Sequence, residues 1–290
     1  MMKIKQLLPV LLLLAGSAGA QTTLQVVTQT VQKTVAWKPG YEVEINGEKA
    51  EVLVEPAEGN TVSVRAELSA KHPALDTAKA DVNAWKFVVS TVGKKIYIRV
   101  YIGLPPGKPL PSSNLKAKIT VSLPRQCPVN LRNKFGQARL DGLQGPVALS
   151  GEFCNFTLTN LGGKVQVDSR YGDVTGRNLG GAVQVDARRA DVSLANLRND
   201  CSVRSEYGAV RVDAGRDSGN LTVKANKSDV TLNVAAQPRH NFSLNAQYGQ
   251  VEVAKSLPFK AESASVAHWQ QGQGRPEINV STSFGKIVVE

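Results

Sequence analysis

The 290 residues carry 35 Lys and Arg against 24 Asp and Glu, a formal charge of +11. Three cysteines are an odd number, which excludes a disulfide framework that uses all of them within one chain. The three histidines, His72, His240 and His268, stand far apart with no Cys or acid at metal-ligand spacing, so no metal and no cofactor is expected.

The chain opens "MMKIKQLLPVLLLLAGSAGA": Lys3 and Lys5, an apolar run from Leu7 to Ala15, then Ala18, Gly19 and Ala20. That order predicts a secretory signal peptide over residues 1–20, too short and wrongly flanked for a spanning helix. No cysteine follows the run, so no lipid anchor is indicated, and no later stretch is long enough to cross a bilayer. The mature chain is expected to begin at Gln21 and to be released into the periplasm, at the cell surface or outside the cell. Cleavage removes two lysines and no acid, leaving +9. An exported basic protein meets anionic polysaccharide, lipid phosphate and membrane surface before any nucleic acid, so the expected partner is an anionic envelope polysaccharide or a surface protein. The competing reading is that Lys and Arg keep a strand-rich surface soluble and block edge pairing.

Residues 21–128 read as strand-rich layers that cap the more regular region beginning at residue 129, with a separate N-terminal sandwich as the alternative. "YEVEI", "AEVLVE" and "NTVSVRAEL" alternate, and "KFVVS" and "KIYIRVYI" form a hairpin pair around Thr91 to Lys95. "LDTAKADVNAW" holds a short helix begun by Asp76, and the Pro-rich "GLPPGKPLPSS" from Gly103 is a surface loop.

From residue 129 to 290 an octet recurs: LRNKFGQA at Leu131, LSGEFCNF at Leu149, VDSRYGDV at Val167, VDARRADV at Val185, VRSEYGAV at Val203, VKANKSDV at Val223, LNAQYGQV at Leu244 and VSTSFGKI at Val280. The first five starts are 18 residues apart, and residues 254–277 interrupt the series. Self-similarity at a short fixed period is the mark of a solenoid. Position one is always Leu or Val and another apolar residue stands two before it, which makes a strand with one buried face. Position three is small, position six is mostly Gly and is expected to take the positive φ of a bend, and position eight begins a second strand. A second turn is marked by "NLGG" at Asn160 and again at Asn178. The predicted fold is an all-β β-solenoid or β-roll of two-strand repeats, its layers roughly 4.8 Å apart. Cys201 occupies the inward slot held by Val147, Val165 and Val183 in its neighbours and reads as a buried free thiol; whether Cys127 and Cys154 pair is left open. A three-faced left-handed helix would show apolar residues every six and is rejected.

Position five is aromatic in six copies: Phe135, Phe153, Tyr171, Tyr207, Tyr248 and Phe284. Such a strip offers rings to sugars while Arg and Lys hold acidic groups; alternatively the rings pack together and shield the bend, contributing about 0.5–1.5 kcal/mol per pair. Because positions one, three and five of a strand point the same way and position one is core, shielding is the expectation. The candidate ligand contacts are Arg170, Arg188, Arg189, Arg204, Lys224, Tyr171, Tyr207 and Tyr248. Asp168 and Asp186 sit on the charged face formed by positions two and four, where extended β-helix enzymes acting on polysaccharides place acids and bases. Mixed charges on adjacent layers also serve cross-strand pairing, and no apolar pocket that would shift a carboxyl is recognisable, so no catalytic residue is assigned. "GGKVQVD" and "GGAVQVD" invite a calcium reading, but the period is 18 and acids in the turns are few; Asp173, Asp191 and Asp229 are turn formers.

The recurring V-x-S-x-Y-G-x-V octets, the entry "ITVSLPRQCPVNLRNKFGQARL" from Ile119 and the close "GQGRPEINVSTSFGKIVVE" from Gly272 resemble a bacterial exported "putative adhesin" domain of unknown function, of the toast-rack-like β-solenoid group. The resemblance implies a solenoid-like fold, an envelope role and no established enzyme activity. Within that setting the expected function is a non-enzymatic binding or structural module at the envelope. A polysaccharide-acting β-helix enzyme or an accessory protein of envelope-stress signalling are the alternatives. Arg189 and Lys227 depart from the octet by replacing its aromatic residue, and Ala190 and Ser228 by replacing its glycine.

Overall fold

The computed structural model describes residues 23–215, 218–234 and 239–290; the expected signal peptide and the terminus at Gln21 lie outside them. The chain is almost entirely β-structure, wound so that each coil contributes one strand to each of two facing sheets. Coils stack in parallel and in register. Val147, Val165, Val183, Cys201 and Leu221 form one inward column, and Phe156, Val174, Val192, Val210 and Val230 form the facing one. All of these side chains are buried between the sheets. No coil hides its own apolar face, so the hydrophobic gain arises from stacking neighbours.

The regular stack does not begin near residue 128. The strands Glu42–Glu48 and Ala50–Pro56 lie in register on Val129–Asp141, with Val43 beside Val129 and Val52 beside Ala138. "INGEKAEV", from Ile45, is therefore an additional octet, with Lys49 at position five and Ala50 at position six. Beyond it Lys95–Ile102 and Asn114–Leu123 add one more parallel coil, joined through the expected Pro-rich loop. Antiparallel strands finish this end: Trp85–Val92 on one sheet, and Thr61–His72 followed by Gln25–Ala36 on the other. The helix Leu75–Asp81 lies here; it starts one residue ahead of Asp76, which sits in its first turn without capping it.

Chain order and stacking order part at the other end. The final strands, Glu277–Ser283 and Ile287–Val289, lie between the coil of Leu221–Asn226 and Val230–Val234 and the coil of Asn241–Gln247 and Val251–Val253. The eighth octet in sequence is thus spatially seventh among those from Leu131 onward. The intervening segment folds into the hairpin Lys260–Ser263 and Val266–Trp269, which pairs antiparallel with Asn241–Gln247 and closes that end.

The bend corrects two expectations. Positive φ falls on position five in every copy, Lys49, Phe135, Phe153, Tyr171, Arg189, Tyr207, Lys227, Phe284 and Tyr248 having φ between 47° and 59°, and of the position-six glycines Gly136 alone also has a positive φ, 155°. The strand alternation breaks there, so position five leaves the core side and its rings are exposed rather than tucked under the bend. Glycine at position six answers a different need, closeness between coils. A Cβ on Gly172 would stand 2.2 Å from the carbonyl oxygen of Cys154, and one on Gly208 would stand 2.1 Å from that of Ala190.

In stacking order, position six runs Ala50, Gly136, Cys154, Gly172, Ala190, Gly208, Ser228, Gly285, and only the terminal Gly249 breaks the alternation. Position three alternates with it: Asn133, Ser169, Ser205 and Thr282 fall in the glycine coils, and Gly47, Gly151, Ala187 and Ala225 in the others. In the glycine coils the polar side chain donates to a carbonyl of the bend: Asn133 Nδ2 to Ala50 (2.9 Å), Ser169 Oγ to Gly172, Ser205 Oγ to Gly208 (3.4 Å) and Thr282 Oγ1 to Ser228 (2.8 Å). The structural repeat is two coils.

Candidate functional site

Forcing position five outward assembles a ladder along one edge of the solenoid. Beyond Lys49, its rungs in stacking order are Phe135, Phe153, Tyr171, Arg189, Tyr207, Lys227, Phe284 and Tyr248. Phe135 and Phe153 stack with centroids 5.3 Å apart and planes 4° off parallel, and Phe153 stacks on Tyr171 at 4.7 Å and 7°. The Arg189 guanidinium sits between two rings, 5.5 Å from that of Tyr171 and 5.7 Å from that of Tyr207, and donates from Nη1 to the Tyr171 hydroxyl at 3.3 Å. Lys227 Nζ lies 5.0 Å from the Tyr207 ring centre and donates to its hydroxyl at 3.1 Å. Tyr248 closes the row on Phe284 at 4.9 Å. Arg189 and Lys227, departures from the octet in sequence, are cation rungs, Arg189 joining the rings of Tyr171 and Tyr207 and Lys227 lying over Tyr207. The aromatic rungs remain 42% to 74% exposed, with Tyr248 the most open.

A non-glycine residue with φ > 0 is uncommon, and for a bulky one it is costly, of order 1–3 kcal/mol. Stacking returns about 0.5–1.5 kcal/mol per pair. Rings and cations thus occupy a backbone slot that glycine would fill with less strain, stacking offsets part of that cost, and together they form an exposed surface along one edge.

The face beside the ladder carries the remaining candidates. Arg170, Arg188 and Glu206 follow one another at position four, and Asp168, Asp186, Arg204 and Lys224 at position two. Arg188 Nε bonds Glu206 at 2.9 Å, and Arg204 meets Asp186 at 3.7 Å. Two shallow troughs of about 340 and 270 Å³ run between these side chains, and both include Asp168 and Arg170. The troughs are open to solvent and lined by both signs of charge. Tyr171, Tyr207, Tyr248 and Arg189 belong to the ladder itself; Arg170, Arg188, Arg204 and Lys224 form its shoulder.

Below the ladder, position seven ties the coils together. Asn155 accepts from the Asp173 amide, Asp173 from the Asp191 amide, Asp191 from the Ala209 amide and Asp229 from the Lys286 amide, at 2.8–2.9 Å. The opposite edge carries an asparagine ladder. Asn196 donates to Asn178, Asn178 to Asn160, both at 2.9 Å, and Asn160 to Asp141 at 3.0 Å, with all three asparagines at positive φ. "NLGG" points to the first two; Asn196, in "NLRN", is recognisable only by its register.

The three thiols are free and buried. Cys201 lies between Val183 and Leu221, and burial pushes its thiol up to about 12. Cys127 is likewise pushed up to about 12 by burial, and Cys154 to about 11 by burial with an opposing bond from Asn133. Among the described residues no group of three or more His, Cys, Asp or Glu is placed to hold a metal, and no helix is long and apolar enough to cross a membrane.

The solved structures that match the chain share little sequence with it. A putative adhesin from Bacteroides fragilis is 12% identical, with 90% of this chain and 97% of that one covered and a TM-score of 0.46. A putative adhesin from Parabacteroides distasonis is 11% identical, with 90% and 97% covered and a TM-score of 0.42. A putative lipid binding protein from the same species is 11% identical, with 91% and 96% covered and a TM-score of 0.35. No curated protein matches the chain in sequence. A family model does match it, over residues 41–290, which spans every coil from Glu42 to the last strand: the chain belongs to the Toastrack DUF4097 family.

Proposed function

We propose that the protein is a non-enzymatic binding module exported to the bacterial envelope, and that it holds a linear anionic surface polymer along the ladder and its basic shoulder. The observation that carries this reading is the row of rings and cations held outward by positive φ, in contact from Phe135 to Lys227 and ending on the Phe284–Tyr248 pair. Neighbouring rungs cover one another's ring faces, so what the column offers outward is ring edges, hydroxyls and the charges of Arg189 and Lys227. Arg170 and Lys224 add positive charge beside it. Edges and cations suit carboxylate, sulfate or phosphate groups better than the flat face of a neutral sugar. Export is supported by the charge, apolar core and small-residue order of residues 1–20. Asp168 and Asp186 lie in open troughs among arginines, a setting for cross-strand pairing rather than for proton transfer.

The test is co-sedimentation of residues 21–290 with envelope polysaccharide and membrane fractions at low and high salt. Retention at low salt that high salt abolishes is expected, and Arg189→Glu with Lys227→Glu should weaken it at least tenfold and flatten its salt dependence. Absence of retention, or a double variant that binds as the parent does, sinks the reading. Turnover of the polymer that Asp168→Asn with Asp186→Asn abolishes would establish the enzyme instead.

A further inference from the structure

The two ends of the stack are finished differently. At the far end the outermost strand of one sheet is Lys260–Ser263, four residues long, fully exposed and carrying Lys260 and Glu262. The matching edge of the other sheet, Val251–Val253, is three residues long, and the Val251 amide donates to Ala264 across the hairpin. Short, charged or covered edges are how sheets avoid pairing with other chains. At the near end one sheet finishes in Trp85–Val92, eight residues carrying Lys86, and the other in Gln25–Ala36, "QVVTQTVQKTVA", 12 residues long and, among the described residues, paired on one side alone, to Thr61–His72. It contains no proline and no register shift. Its one charged residue, Lys33, is turned across the opening, where Nζ donates to the Val89 carbonyl at 2.8 Å. Val27, Val31 and Val35 pack toward the core, so the alternate residues Val26, Thr28, Thr30, Gln32 and Thr34 form an uncharged outer face. Exposed aliphatic residues gather at this end as well: Leu24, Val26, Leu75, Val88 and Val92.

We infer that the free edge of Gln25–Ala36 is the interface for a second copy of this chain, pairing antiparallel with its own counterpart about a two-fold axis. A two-fold sets a strand antiparallel to its own copy, so one surface serves both partners and the contact closes on itself. The uncharged outer residues bring no like charges together across that axis. Joining the near end of one copy to the far end of another would build a filament, and the short, charged strand at the far end opposes that. The product is a closed dimer in which one sheet of each copy runs on into the other.

The chain's buried thiols make the test clean, because a cysteine added on this strand is the one readily reached by reagent. Single variants Val26→Cys, Thr28→Cys, Thr30→Cys, Gln32→Cys and Thr34→Cys of residues 21–290 would be treated with a short bis-maleimide, with masses read by sedimentation equilibrium. A dimer is expected whose cross-linking peaks at one position and falls on both sides, since a residue four positions from the axis lies roughly 27 Å from its copy at about 3.4 Å per residue. Thr28→Lys with Thr30→Lys should raise the dissociation constant at least tenfold without changing the melting temperature read at a concentration where parent and variant are both monomeric. A monomer at every concentration, an open series of higher masses, a dimer indifferent to the lysines, or cross-linking without a peak would each overturn the inference.

Discussion

At position five of each coil a residue with a full side chain adopts the conformation glycine tolerates best. If the ladder persists because its stacking offsets that strain, Phe153→Ala should lose both the stacking and the relief, whereas Phe153→Gly loses the stacking alone. Phe153→Gly is expected to be the more stable of the two by about 1 kcal/mol, read from denaturant melts. Position six behaves oppositely. In Gly172→Ala the added methyl meets the Cys154 carbonyl, and a loss of roughly 2–3 kcal/mol is expected even though the residue is small and the backbone undemanding. The octet shows both positions as a bend, but which of two adjacent residues turns left-handed is settled by contact with the coil below. That neighbour is 18 residues away in sequence, and local propensity does not register it.

The thiols provide a second test at this scale. The unfolded chain ionises its cysteines near the ordinary value, about 8.5, while burial in the folded chain keeps them protonated to about 11 or 12. Their contribution to stability is therefore complete below about pH 8.5 and is lost progressively as pH rises through the folded values. Melting temperature should fall across that alkaline range, and Cys201→Val, which restores the residue type of the coils before it, should make the fall shallower. An unchanged slope would mean that the Cys201 thiol is already accessible.

Besides the ladder and the position-three side chains, coils are held to one another by the core columns, the position-seven acids and amides, and the asparagines of the opposite edge. Asn178 both donates and accepts within its row and sits at φ 56°. Asn178→Ala breaks two bonds and places Cβ in a poor conformation, for an expected loss of about 2–3 kcal/mol. Asn178→Gly should recover part of that, since it is free of the conformational strain. Thermal melts of the pair separate the hydrogen-bond contribution from the backbone one. Two of these asparagines are announced by "NLGG"; the third, and the two-coil alternation of hydroxyl with glycine, emerge when the copies are ordered as they stack. The last copy lies 36 residues after its predecessor in sequence but directly beside it in space, where Gly285 continues the alternation from Ser228.

For the whole molecule the insertion of the final strands has a thermodynamic consequence. Deleting residues 277–290 does not shorten the stack from its end; it removes a coil from between Leu221–Asn226 and Asn241–Gln247 and uncovers the hydrogen-bonding edges of both. The expected outcome is loss of protection across residues 239–269 in hydrogen exchange, with the coils from Glu42 to Val212 still protected. A truncated chain as protected over 239–269 as the parent would show that the segment closes onto the stack unaided.

The existence of strands, their inward residues, the 18-residue period and the burial of Cys201 were legible in the order of residues, because apolar alternation and turn residues express forces that act within a few positions. An N-terminal copy with Lys49 and Ala50 in place of an aromatic residue and glycine is hidden in the sequence, since its only remaining signal is the spacing of Val43, Ile45, Val52 and Val54. The outward turn of position five, the continuity of Arg189 and Lys227 with the rings, the need for glycine beneath a neighbouring carbonyl and the place of the last coil were decided by the tertiary structure alone. Each depends on which coil lies against which, and in a stack assembled by contacts across 18 or more residues that partner is a property of the folded chain as a whole.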